Sequence, residues 1–197
     1  DQPPVVLAIA DMTMDMLEPH EISLDSDWRW NNPDLGEVTL NVKGAGHLQQ
    51  YELSASGDIV HSDLGKQAIS LQGKGDFDFL DIERLSLKGD DGAMTASGEL
   101  AWVPNVSADL NIDSNGLKTA QSTPEWPAEI TGNFKLKGQI EQGQLRGELD
   151  ISTLQGRLRG YPISGSGKVS MLNQELIFDK LALRSADNSI KVDGRGS

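Results

Sequence analysis

Asp109-Leu110-Asn111-Ile112-Asp113-Ser114-Asn115-Gly116 is the stretch of this sequence that comes nearest to metal chemistry. A D-x-N-x-D spacing can bring alternate oxygens around one calcium ion. The loop that does so also needs a sharp-turn glycine at its sixth position and a bidentate glutamate at its twelfth, and here those places hold Ser114 and Ala120. Leu110 and Ile112 between the acidic residues mark a strand instead. Nucleotide chemistry fails in the same way. Gly73-Lys74-Gly75 and Gly165-Ser166-Gly167 begin a dinucleotide fingerprint, but the last glycine is replaced by Asp78 in one and Ser170 in the other. Gly167-Lys168 is followed by Val169, where a phosphate loop needs Ser or Thr, and Pro162 stands at its first glycine. His20, His47 and His61 are too widely spaced for a local metal motif. There is no G-x-S-x-G nucleophile elbow. The 30 carboxylates alternate with lysines and arginines, as a solvated strand face requires. No nucleophile-base signature emerges, so the expectation is a protein that is not an enzyme and needs no cofactor or metal.

Elements that could position such residues are written in period two. Apolar residues alternate with polar ones through Ile22, Leu24, Trp28 and Trp30; Val38, Leu40 and Val42; Tyr51, Leu53 and Ala55; Ile69 and Leu71. The pattern resumes at Met94, Ala96 and Leu100; Leu110 and Ile112; Phe134 and Leu136; Leu149 and Ile151; Ile163, Val169 and Met171; Ile190 and Val192. One face of each segment is apolar and the other polar, the mark of half-buried strands. Turn formers such as Asn31-Asn32-Pro33, Gly89-Asp90-Asp91-Gly92 and Asp187-Asn188 separate the segments. The chain therefore reads as all-β, with roughly a dozen mainly antiparallel strands of ordinary length. Only residues 119–125, ending at Trp126-Pro127, suggest a helix, and a short one.

The sequence also repeats. At a constant offset of 96, Leu85 meets Leu181, Leu87 meets Leu183, Met94 meets Ile190, Gly98 meets Gly194, Leu40 meets Leu136 and Trp30 meets Trp126. A four-residue slip is needed where Leu71-Gln72-Gly73-Lys74-Gly75 resembles Ile163-Ser164-Gly165-Ser166-Gly167. Two copies are expected, 1–102 and 103–197, forming one elongated segment, because repeated units bury apolar surface only against neighbours. Glycines around residues 73, 98, 138 and 165 continue the apolar phase. Removing side chains from one face lets that face curl inward, which predicts a curved trough with an apolar concave wall.

Composition narrows the partners. A net charge of -13 argues against nucleic acid, whose phosphates need a basic surface, and against electrostatic attachment to anionic membranes. Cysteine is absent, so there is no disulfide framework. No apolar run approaches the ~18 residues of a membrane span, and the start DQPPVVLAIADM has no basic segment of a secretory signal. An internal piece of a longer protein is expected.

Thr123-Pro124-Glu125-Trp126-Pro127-Ala128-Glu129-Ile130-Thr131-Gly132-Asn133-Phe134-Lys135-Leu136-Lys137-Gly138 resembles the Trp-Pro element of the TamB group within the AsmA-like family of Gram-negative bacteria. The strand Val106 to Asp113 before it, and the L-x-L-x-x-x-D pattern at 85–98 and 181–194, are similar in style. The first copy departs, with Trp30-Asn31 where the second has Trp126-Pro127. This resemblance implies a bridge-like lipid-transfer protein built of repeating β-groove units. It would be anchored in the inner membrane, cross the periplasm and carry phospholipids toward the outer membrane. It also implies a partner, an outer-membrane barrel of the TamA type, reached through parts of the full-length protein. On that view Val38, Leu40, Leu53, Leu71, Leu85, Leu87, Met94, Leu100, Phe134, Leu136, Leu149, Ile151, Ile163, Val169, Leu181, Leu183, Ile190 and Val192 line the lipid groove, with Thr39, Lys135 and Lys137 on the wet side. At ~4.8 Å between strands, a dozen strands give a track on the order of 60 Å. The rival expectation is a scaffold or chaperone for outer-membrane proteins, acting through exposed strand edges.

Overall fold

The computed structural model describes residues 5–14, 21–32, 36–47, 49–61, 65–118, 125, 127–141, 144–172 and 175–196. Contacts divide the chain into two compact units, Asp1–Asp90 and Asp91–Ser197. In the first lie β1 (Val5–Met14), β2 (Glu21–Asn32), β3 (Gly36–His47), β4 (Gln50–His61), β5 (Gly65–Gly75) and β6 (Phe79–Gly89). The second holds β7 (Gly92–Ala101), β8 (Val106–Lys118), β9 (Ala128–Glu141), β10 (Gln144–Leu158), β11 (Tyr161–Leu172), β12 (Glu175–Ser185) and β13 (Asn188–Gly196). Within each unit the strands stand in chain order, each antiparallel to the one before. No helix occurs among the described residues. The all-β, antiparallel expectation holds; apart from Glu125, which is in a turn, the helix suggested at 119–125 lies outside the described residues.

Turn chemistry explains why neighbours in sequence become neighbours in the sheet. Between β10 and β11, Arg159 and Gly160 both take positive φ, 51° and 82°. Two left-handed residues in a two-residue loop twist the chain in the sense that antiparallel strands require, so Leu158 returns opposite Tyr161. Between β5 and β6, the Asp76 carboxylate accepts hydrogen bonds from the Asp78 and Phe79 amides at 2.7 and 3.2 Å, closing that turn with a side chain.

Strand bounds repeat. From Phe79 to Glu175 and from Gly89 to Ser185 are both steps of 96, and so is the step from Gly65 to Tyr161. Bulges repeat at the same step, between Ile82 and Leu85 in β6 and between Phe178 and Leu181 in β12. The four-residue slip is not needed: Ile69 faces Leu87 and Gly165 faces Leu183, so the ladder keeps step while the side chain at that place changes. The tryptophan match fails as an equivalence. Trp30 faces Val38, whereas the partner of Phe134 is Ile112. Trp126 lies outside the described residues, and more residues separate β8 from β9 than β2 from β3.

Little of either sheet is covered. Among the described residues, the buried hydrophobics are Val38, Ile82 and Ala96 alone. A sheet packed under a second layer buries a row of apolar side chains on every strand. Among the described residues of each unit, then, no layer covers the apolar face, and each sheet is open.

Candidate functional site

Directly opposed residues of antiparallel strands point to the same side, so the ladders fix which side chains share a face. In the first unit, Trp28, Leu40, Gly57, Ile69 and Leu87 make one row across β2 to β6. A second row runs Ser26, Val42, Ala55, Leu71 and Leu85, and a third Leu24, Gly44, Leu53, Gly73 and Ile82. Val38, two places from Leu40, faces Trp30 and Ile59. All six groove residues expected here, Val38, Leu40, Leu53, Leu71, Leu85 and Leu87, therefore lie on one face. The β6 bulge keeps them there, since Ile82 and Leu85 are three apart and would otherwise point to opposite sides.

The second unit repeats the construction. Leu110, Leu136, Leu149, Val169 and Phe178 form a row from β8 to β12. Beside it Ile112, Phe134 and Ile151 continue to Gly167. Leu181 faces Val192 and Leu183 faces Ile190. Met94 lies opposite Ser114, Leu100 opposite Ala108, and Ile163 opposite Gly156, all in the same phase. The twelve groove residues expected in this unit share one face, and Ile190 is the most exposed of the twelve at 61%. The two sets belong to separate units.

Glycine shapes this face in two ways. Gly98 has φ 136°, and a Cβ there would run into the Asp109 carbonyl across the ladder, so the position excludes other residues. Gly138 meets nothing closer than 3.9 Å, so nothing local demands glycine, and the face is hollow above it.

The opposite faces carry the charge. Thr39 stands between Arg29 and Asp58, Lys135 between Asn111 and Asp150, and Lys137 between Asp109 and Glu148, all on the polar side. Lys135 and Lys137 reach Asp109 at 3.4 and 3.1 Å. The Lys137 bond is the main reason the Asp109 carboxyl lies below its usual range, with Lys135 adding to it. Glu148 pairs with Lys168 at 2.9 Å and raises the lysine's pKa. Asp113 accepts a bond from Asn133. The calcium-like stretch is thus the outer, cross-linked side of β8.

Some residues were not signalled by alternation. Ser26 sits in the apolar phase, 2% exposed. Its hydroxyl accepts from Trp28 Nε1 at 2.9 Å and lies 3.4 Å from the Val42 carbonyl, fixing an indole on the open face. Arg159, Tyr161 and Ser185 meet at the end of the second unit's face, drawn from different hairpins.

A family model described as TamB, N-terminal domain, matches residues 18–197. The Translocation and assembly module subunit TamB of Haemophilus influenzae is 23% identical over 163 residues, which is 81% of this chain and 12% of that relative. The chain thus spans about an eighth of the length of that relative. No solved structure matches it.

Proposed function

The chain belongs to the TamB family, and on that premise we propose that its apolar sheet faces are a segment of a track for phospholipid acyl chains. The track crosses the periplasm within a longer protein held in the inner membrane, and it serves the building of the outer membrane. One observation carries the reading: rows rich in leucine, isoleucine and valine run across β2 to β6 in the first unit and β8 to β12 in the second, yet only three described hydrophobics are buried. Soluble proteins rarely leave contiguous apolar surface uncovered unless something binds it.

The energetics favour an acyl chain as occupant. Exposing lipid to water costs about 0.8 kcal/mol per methylene, so a two-chain lipid with roughly thirty such groups faces a barrier on the order of 20 kcal/mol. Six strands spaced ~4.8 Å apart reach about 24 Å. An acyl chain spans about half of the ~30 Å hydrocarbon core of a bilayer. Each sheet is therefore longer than one chain, as a stretch of track must be. The role needs surface and no bond-breaking step, so the reading assigns no catalytic residue. The relative's name, a module subunit, fits a protein that works with others, and the reading includes an outer-membrane barrel of the TamA type meeting other parts of the full-length protein.

Native mass spectrometry of the purified chain after incubation with phospholipid vesicles tests this. Retained phospholipid is expected. A folded chain that retains none contradicts the proposal.

A further inference from the structure

The apolar face of the second unit ends, at the β10–β11 hairpin, in a cavity of about 560 Å³ lined by Leu158, Arg159, Tyr161, Ile163 and Ser185. Its floor and its rim differ in chemistry. Leu158 and Ile163 continue the apolar rows, in the phase of Gly156 and Leu154. Tyr161, opposite Leu158, is 69% exposed. Ser185 lies one place beyond the Arg184–Ser164 pair, beside Ile163. Arg159 is fixed at the turn by its left-handed φ of 51° and by its amide, which donates to the Pro127 carbonyl at 2.7 Å. Pro127 thus holds the hairpin that carries the arginine. Arg159, Tyr161 and Ser185 line the cavity together with Leu158 and Ile163, and a few polar residues on an apolar pocket are the usual form of a ligand site. A guanidinium matches phosphate oxygens in a two-bonded geometry.

We infer that this cavity takes the phosphate group of a phospholipid whose acyl chain lies over Leu158 and Ile163. The inference rests on the acyl-track reading above. Local charge supports it. Arg157 and Arg184 flank the lining residues on the polar side, and the described carboxylates nearby include Glu129, opposite Arg157, Asp187 in the β12–β13 turn, and Glu125, two residues before Pro127. Three arginines, Arg157, Arg159 and Arg184, thus stand at or beside the cavity in a chain whose net charge is -13. The subsite fixes an orientation for the cargo, with the headgroup at the hairpin rim and the chain running inward.

The test uses two probes of the same acyl length, lysophosphatidic acid and monoacylglycerol, each titrated below its micelle concentration onto the whole chain, with glycerol phosphate as the probe without an acyl chain. The phosphate-bearing probe should bind about tenfold more tightly, the equivalent of ~1.4 kcal/mol for one charge-assisted contact. Arg159→Asn, chosen because asparagine tolerates positive φ, should bring the ratio toward one by weakening lysophosphatidic acid binding. Ser185→Ala, in β12 and outside the β10–β11 turn, should lower the ratio less, and Arg159→Lys should keep part of it. Equal affinities for the two probes on the unaltered chain overturn the subsite and leave the track reading standing. Failure to bind either probe overturns both. Glycerol phosphate binding as tightly as lysophosphatidic acid identifies a free-phosphate site and overturns the lipid assignment.

Discussion

Leu136→Asp should stop lipid movement across the second unit without unfolding it. Leu136 stands in the middle of the face, between Leu110 and Leu149 in directly opposed positions. It is half-buried, so losing its side chain removes at most about 1.5 kcal/mol of hydrophobic stabilisation. A carboxylate there acts differently on the cargo. An acyl chain laid over it would strip its water, at several kcal/mol. The cheaper course is to lift roughly four methylenes off the floor, which at ~0.8 kcal/mol each costs about 3 kcal/mol. That barrier slows passage on the order of 100-fold. The assay is transfer of a fluorescent phospholipid between donor and acceptor vesicles by the full-length protein, with circular dichroism to confirm folding. Lys135→Ser is the control. It removes an exposed 3.4 Å ion pair with Asp109, worth no more than about 1 kcal/mol, from the opposite face. Transfer by the folded Leu136→Asp protein within a factor of two of normal, or an equal loss in Lys135→Ser, refutes the reasoning.

Other changes read the fold directly. Gly98→Ala should destabilise by about 2 kcal/mol or more, because its Cβ meets the Asp109 carbonyl at a left-handed φ, whereas Gly138→Ala should stabilise by ~0.5 kcal/mol; urea unfolding orders the two. Ser26→Ala leaves the Trp28 indole without its acceptor and should cost about 1–2 kcal/mol, with a shift in tryptophan emission that a distant surface change does not produce. Asp109 has a lowered folded pKa, so its contribution to stability is present above the unfolded carboxylate range and fades as pH falls through the folded value. Lys137→Met should move the Asp109 titration upward in carboxyl-detected NMR, and an unchanged midpoint would disprove the lysine's role.

Period two made the strands and their faces legible, because residues two apart in a strand must share a side whatever the fold around them. Leu85, Leu87, Leu181 and Leu183 therefore stand out from their spacing alone. The bulges were not legible: the Ile82-Glu83-Arg84-Leu85 and Phe178-Asp179-Lys180-Leu181 stretches break the alternation, and only the ladder shows that an extra residue restores the face. Trp30 and Trp126 misled because identity at a fixed offset ignores where a longer connection is inserted. The slip around Gly73 misled for the opposite reason, since glycine pairs look alike while the ladder partners stay fixed. Alternation alone did not encode openness, because it is the same whether a second layer covers the face or not; the glycines in the apolar phase carried the trough expectation. Arg159, Tyr161 and Ser185 come together only when the β10–β11 hairpin lies beside the end of β12, a proximity that no local spacing encodes.

The central claim is that the leucine-rich face, and not the charged one, meets lipid. A photo-crosslinking residue placed at Leu136, and separately at Lys135, in the full-length protein in living cells tests it at adjacent positions on opposite faces. The account predicts crosslinked phospholipid at 136 and none above background at 135. Equal labelling at both positions, or labelling at 135 alone, would contradict it.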